Sequence, residues 1–415
     1  MSNVEFVSKE PIAIVGLGCV LPDAPDVETF WNNLLAGKDS VREVPKSRWD
    51  PALFWSADKA SPDKTYAKIG AFVSDDAFNP LDYRMLPASV VQIDPSQRWA
   101  LAATRQALKD AGLRTGLKAD EKECGREFDR SRTAVILGNA MGGELMKLHT
   151  KRLYWPQVEA ALRADAGFRT LSPQEQEDVL RRTETIYKSD VPPVTEDSMP
   201  GTLANVAAGR IANVFDLGGK NFTTDAACAS SLAALDSAID TLRKGEADIV
   251  IWGGTDRSMD VTPYVEFSKI GALSPDGSRP FDAGANGFVM GEGCAIFLLK
   301  RLSDAERDGD KVYAVVRGLG GSSDGKGKGI TAPNPVGQVK AVVRAYQDAE
   351  VDPFTVGYLE AHGTSTPVGD PVELTSVEEA YRQLSKAGAA TGSIFVGSVK
   401  SNMGHLKSAA GAVGM

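Results

Sequence analysis

The chain has 415 residues, of which 42% are hydrophobic and 24% charged; these are ordinary values for a globular protein, and the length suggests two or more domain-sized units with a large core. A formal net charge of −9 removes nucleic acid as the default partner. Four scattered cysteines form neither a disulfide framework nor a zinc pattern, the start carries no signal-peptide core and no apolar run reaches membrane length, so the cytoplasm is the expected compartment.

In chain order, residues 11–15 read as a strand and 27–35 as a helix. Gly16-Leu17-Gly18 follows that strand and invites a dinucleotide reading, but Leu21 takes the third glycine position and no clean helix opens there, so nucleotide binding is not expected. Residues 96–111 read as a helix with Gly112 as its stop, and 133–137 as a strand. Residues 144–198 are polar, helical and charge-rich, and interrupt the alternation. Within them Ser172-Pro173-Gln174-Glu175 carries a capping box with Pro at the first helical position. This insert reads as a solvated surface elaboration in preference to a substrate-shaping flap. A small-residue helix over 199–214 comes next. A second helix (229–242) opens just after Cys228, and a strand follows at 249–252. Strands at 294–299, 312–316, 356–360 and 394–399, with a helix at 335–348, continue the scheme. Such alternation predicts a mostly parallel sheet covered by helices, with a site at the carboxyl ends of its strands.

Three segments carry candidate chemistry. Cys228 lies in Thr224-Asp225-Ala226-Ala227-Cys228-Ala229-Ser230. A thiol in the first turn of a helix feels the positive end of the helix dipole, which favours the nucleophilic thiolate. Cys19, Cys124 and Cys294 lack such a setting and read as structural. Two of the three histidines sit in Gly-flanked turns after strands: His362 in Ala361-His362-Gly363-Thr364, and His405 in Asn402-Met403-Gly404-His405, with Lys400 shortly before it. Together they predict one site assembled from three distant segments. A Cys-His-His zinc site is conceivable by ligand type but lacks local ligand spacing, so no metal is expected.

These segments resemble the β-ketoacyl synthase signature of polyketide and fatty acid synthases, as do Asp94-Pro95-Ser96-Gln97-Arg98, Arg279-Pro280-Phe281-Asp282, Gly287-Phe288-Val289-Met290-Gly291-Glu292-Gly293 and the run from Asp324 to Asn334. The resemblance covers the whole chain. Its opening, Glu10-Pro11-Ile12-Ala13-Ile14-Val15-Gly16, is similar to that of condensing domains at the head of large multidomain synthases. The Cys228 context and the Ser322-Ser323-Asp324-Gly325-Lys326 loop look most like polyunsaturated-fatty-acid-type iterative synthases. The implied fold is α/β and thiolase-like, two related halves making a five-layered αβαβα core, usually paired as a homodimer. The implied division is a leader at 1–10, a nucleophile-bearing half at 11–255 with the insert 144–198, and a second half at 256–415.

The implied reaction is a decarboxylative Claisen condensation of malonyl-carrier with an acyl group held on Cys228. By motif, His362 and His405 match the donors to the malonyl thioester oxygen, Lys400 the lysine behind them and Glu373 its carboxylate partner. Thr364 and Thr366 match the hydroxyls that bind the pantetheine amides. No cofactor is implied for this domain itself. Substrates would arrive on the 4′-phosphopantetheine of an acyl carrier protein, the implied partner beside other synthase domains in cis; neither nucleic acid nor membrane is implied. Two departures stand out. Ala285 falls where the family commonly carries an Arg, and the chain stops at Met415, before the family's Gly-Phe-Gly-Gly turn, so the second half is expected to be incomplete and the chain a fragment of a longer synthase. A non-elongating carrier-docking module is the alternative, against which the presence of both histidines speaks. A degradative thiolase fits the His362 and Lys400–His405 motifs poorly, and a chain-length factor is excluded by Cys228.

Overall fold

A computed structural model describes residues 9–74, 78–120, 125–327, 329–330, 332–385 and 394–415. Its central sheet has six strands, in the order Asn221–Thr224, Thr133–Gly138, Ile249–Asp256, Gly293–Arg301, Ile12–Val20 and Ala314–Val316. The first three run parallel. The remaining neighbours pair antiparallel, so the sheet is mixed where the alternation predicted a mostly parallel one. Parallel neighbours need a crossover helix between them. Helix Val206–Phe215 links Thr133–Gly138 to Asn221–Thr224, and helix Ser230–Arg243 links that strand to Ile249–Asp256. The chain then makes a long excursion, and Gly293–Arg301 enters from the opposite end.

Every residue of Ile249–Asp256 is buried, as is all of Gly293–Arg301 but the last, because helices cover both faces. Pro95–Asp110 and Val206–Phe215 cover one face, where Trp99, Leu101, Leu108, Ile211 and Phe215 meet Val135, Ile251 and Leu298. Ser230–Arg243 and the terminal turns Lys407–Ala409 and Ala410–Gly414 cover the other, with Leu235, Leu242, Ala409 and Val413 against Trp252 and Leu299. Gly16 and Gly18 find their explanation here. A Cβ on Gly18 would lie 2.0 Å from the Ala103 carbonyl oxygen, and one on Gly16 2.5 Å from that of Ala107. These glycines let a helix cross a strand at close range.

A second, two-stranded parallel sheet pairs Tyr358–Glu360 with Phe395–Gly397. Helices Pro335–Ala349 and Gly369–Leu384 pack together beside it, joined by a 2.6 Å bond between the Tyr346 and Tyr381 hydroxyls. With Ser230–Arg243 and Ala410–Gly414 packed in the middle, where the Ala412 N–H donates to Ser231 Oγ at 3.0 Å, the architecture is the five-layered α/β type. Strand Gly293–Arg301, on the second-half side of the expected division at residue 255, lies within the first sheet.

The single helix expected over 199–214 is two helices, Ser198–Thr202 and Val206–Phe215. Gln97 Nε2 explains the break: it donates at 3.1 Å to each of the carbonyls of Pro200, Gly201 and Leu203, which a continuous helix would use internally. The insert folds as helices Leu145–Leu153, Trp155–Ala164 and Pro173–Tyr187, the last opened by the anticipated Ser172–Glu175 capping box. Its root is fixed by Asp94, whose Oδ2 accepts the N–H groups of Glu144 (2.9 Å) and Leu145 (3.0 Å).

Candidate active site

Cys228 lies past the end of strand Asn221–Thr224, in a 3₁₀ turn, Ala227–Ala229, that precedes helix Ser230–Arg243. It therefore stands just ahead of the α-helix and not in its first turn. The turn is tight. Ala227 takes a left-handed backbone (φ +50°), its N–H donates to Asp225 Oδ1 (3.0 Å), and Ser230 Oγ donates to the Ala227 carbonyl (2.6 Å) while accepting from Ala226 N–H (2.9 Å). Short side chains at 226, 227, 229 and 230 make this path possible.

His405 arrives from a different segment. The left-handed Gly404 (φ +68°) turns the chain, and the His405 N–H is held by the Val289 carbonyl at 2.7 Å. Its buried ring places Nε2 3.1 Å from Cys228 Sγ. Nδ1 accepts the backbone N–H of Lys407 at 2.9 Å. In the neutral ring one nitrogen donates and the other accepts, so this contact puts the proton on Nε2, facing the sulfur. His362 completes the group edge-on, its ring centroid 5.2 Å from that of His405. Glu373 holds the His362 turn through the backbone, accepting the N–H of His362 (2.6 Å) and of Gly363 (2.8 Å). Gly363 is obligatory there: its φ is +42°, and a Cβ would lie 2.7 Å from that of Ser398.

Both imidazoles are held neutral. Although His362 touches solvent, the desolvation of its ring, then the charge of Lys400, pushes it down to about 4. His405 is pushed well below the usual histidine range by burial, then by His362, Lys400 and Lys407. Cys228 runs against the expectation of a favoured thiolate. Although the residue touches solvent, its surroundings desolvate the thiol and push it up; Lys400 and Lys407 pull it back down, and Asp256 adds to the rise. Burial wins because a thiolate loses more by leaving water than two nearby ammonium groups return. Lys400 is itself buried and pushed down by that burial, against the pull of Glu360, Glu373 and Cys228. Glu373 is pushed up by burial, which outweighs its two backbone bonds and Lys400.

Cys228 Sγ and one ring nitrogen from each of His362 and His405 lie within 4.8 Å of one another, a spacing that by itself suits a metal. The donor set does not. The Lys407 N–H at Nδ1 denies a metal the Nε2 lone pair of neutral His405, and two ammonium groups stand close by. Thr364 and Thr366 lie on the turn beyond His362, their hydroxyls 3.1 Å apart, with Thr366 Oγ1 also accepting from the Gly369 N–H. Thus the structure gathers Cys228, His362, His405 and Lys400 with Glu373 behind them. Cys19 and Cys294 are buried and their thiols pushed up, Cys294 to about 12, while Cys124 lies outside the described residues. Sequence reasoning missed Lys407 and Asp256, a buried pair 3.0 Å apart beneath the site. The available signal was a charged residue two places past His405 in an otherwise apolar and small-residue run.

The family model for the beta-ketoacyl synthase N-terminal domain matches residues 9–305, and that for the C-terminal domain matches 313–415. The chain is 37% identical over 405 residues to a component of the polyunsaturated fatty acid synthase of Thraustochytrium sp., covering 97% of this chain. It is 35% identical over 408 residues to a component of the phenolphthiocerol/phthiocerol polyketide synthase of Mycobacterium tuberculosis. It spans only 14% and 23% of the length of those two relatives. Among solved structures, the oxazolomycin ketosynthase domain OzmH KS7 of Streptomyces albus matches 98% of this chain and 61% of its own, with a TM-score of 0.78 at 36% identity. The PfaC ketosynthase–chain length factor matches with a TM-score of 0.82 at 33% identity, over 41% of its own length. The fold is thus the thiolase-like one of ketosynthases, and the chain belongs to the β-ketoacyl synthase family.

Proposed function

We propose that the chain condenses malonyl and acyl thioesters delivered on a carrier protein, elongating a polyketide or fatty acyl chain. The observation that carries this reading is the Cys228 Sγ–His405 Nε2 contact of 3.1 Å, with His362 beside it and both rings neutral. In the first half-reaction Sγ attacks the acyl thioester carbonyl, the carrier thiol leaves with the proton Cys228 gives up, and the acyl group stays on sulfur. In the second, the bond between the malonyl α-carbon and its carboxylate breaks and carbon dioxide departs. The enolate oxygen left behind takes hydrogen bonds from His362 and His405. Its α-carbon attacks the acyl–Cys228 carbonyl, and the thiolate is expelled. Donors aimed at charge that exists only in the transition state supply the largest share of such catalysis. A neutral imidazole already carries one N–H, so it donates such a bond without first having to gain a proton.

In this reading Lys400 supports the pair electrostatically, Glu373 fixes the His362 turn, and Thr364 and Thr366 receive the pantetheine amides. The carrier protein, other synthase domains in cis and a second copy of the chain are the partners, and the cytoplasm is the compartment. The two-half division with its insert at 144–198 belongs to the same reading. Among the described residues no helix is long and apolar enough to cross a membrane.

The test is loading with an acyl-carrier thioester followed by labelled malonyl-carrier. His405→Ala should still acylate Cys228 but release labelled carbon dioxide about 10²–10³ more slowly. Unchanged release would remove His405 from this role. Loading without any release by the native chain would favour the non-elongating module.

A further inference from the structure

Lys407 lies two residues past His405, 4% exposed, in a left-handed backbone conformation (φ +49°) that a side chain with a Cβ adopts only under constraint. The constraint is visible. Its ammonium group is 3.0 Å from Asp256 Oδ1, donates to the Gly291 carbonyl at 2.6 Å and sits 3.7 Å from Met259 Sδ. The same two anchors hold the neighbouring residues: the Gly291 N–H donates to the His405 carbonyl (3.0 Å), and Asp256 Oδ2 accepts from Ser408 Oγ (2.8 Å). In this backbone conformation the Lys407 N–H meets His405 Nδ1 at 2.9 Å.

We propose that Lys407 is a positioning residue: its side chain, tethered to Asp256 and the Gly291 carbonyl, holds the 405–408 turn in the left-handed form that keeps the proton of His405 on Nε2, against Cys228. A buried ion pair needs no such consequence, since it could close anywhere in the core; here it closes on the one residue whose amide sets the tautomer. An ammonium on a four-carbon stem suits the task, because it reaches both oxygens and offers each a separate hydrogen. The effect on rate rests on the condensing function proposed above; the effect on the tautomer does not.

The chain has only three histidines, so ¹⁵N-histidine labelling resolves the Nδ1 and Nε2 shifts of His405 directly. The variants are Lys407→Met and Lys407→Gly, each combined with Asp256→Asn so that no buried carboxylate is left unpaired, and Asp256→Asn alone as control. The Met variant should show mixed His405 tautomers and lose about 10- to 100-fold in condensation kcat with little change in KM. Glycine adopts left-handed backbone freely, so the Gly variant should keep the Nε2–H tautomer and more of the rate than the Met variant. A single Nε2–H tautomer in the Met variant would overturn the proposal, and so would a Gly variant as mixed as the Met one. Should the Met variant fail to fold by circular dichroism, Lys407→Ala with Asp256→Asn takes its place: mixed tautomers there, against Nε2–H in the Gly variant, support the tether, and a single Nε2–H tautomer in the Ala variant overturns it.

Discussion

In the proposed function Cys228 reacts through its neighbours and not as an acidic thiol. Burial raises the thiol, and the Nε2–H of His405 at 3.1 Å donates to a charged acceptor only when the thiolate forms. Iodoacetamide should therefore label Cys228 well ahead of the buried Cys19 and Cys294, with a rate that keeps rising past pH 9.0, the ordinary thiol value. Peptide mapping checks both points, and a plateau near neutral pH would contradict the net direction argued here. His362 makes a second prediction. Its folded pKa, about 4, lies below the ordinary 6.5, so unfolded chain binds a proton that folded chain refuses as pH falls through that window. Its stabilising contribution is complete above pH 6.5 and is lost as pH drops toward 4. Denaturant midpoints across that range should fall less steeply in His362→Gln than in the native protein. Parallel slopes in the two would show that the ring carries no such linkage.

At the scale of the element, the turn before the nucleophile helix is the most exacting. Ala227 holds φ +50°, where a β-branched side chain is strongly disfavoured and glycine is at ease. Ala227→Val should cost about 1–3 kcal/mol and misplace Cys228, whereas Ala227→Gly should stay within about 1 kcal/mol, since relief of strain offsets the added freedom of the unfolded chain. Chemical denaturation measures the pair, and equal losses in both would refute the strain argument. The elements themselves were readable where periodicity and stop signals agree. Helix Val27–Leu35 was legible to the residue, Gly112 (φ +66°) follows the C-cap of helix Pro95–Asp110, and Ser172 opens its helix with a complete capping box. The break between Thr202 and Val206 was not, because its cause is the Gln97 amide, about a hundred residues away in sequence.

Across the whole molecule, one buried charge cluster joins segments that sequence keeps apart. Glu292 is fully buried; its Oε1 is 2.5 Å from Arg48 Nη2 and its Oε2 2.7 Å from Arg257 Nη1. Both guanidinium groups also face Glu144, at 3.6 and 3.7 Å, and Glu144 Oε1 accepts the Met259 N–H. The cluster thereby ties the root of the insert to the segment just past strand Ile249–Asp256, where Met259 lies against Lys407. Removing one partner leaves buried charge uncompensated, so Glu292→Ala should lose about 3–5 kcal/mol of stability. An equilibrium unfolding midpoint close to that of the native protein would show the cluster to be dispensable.

The sequence by itself determined the family and the α/β class, and it picked out Cys228, His362 and His405, the side chains that the fold brings together, because each rests on a local pattern: small residues around Cys228, and glycines that permit the turns at His362 and His405. Tertiary structure alone decided the rest. That half of the central sheet runs antiparallel depends on where Gly293–Arg301 re-enters it. That the thiol is raised depends on burial outweighing Lys400 and Lys407, a balance of opposing effects that no linear motif records. That His405 carries its proton on Nε2 depends on a backbone N–H held in place by Lys407, Asp256 and Gly291. Local patterns fix which atoms can react; through-space electrostatics and hydrogen bonds between distant segments fix the state in which they stand.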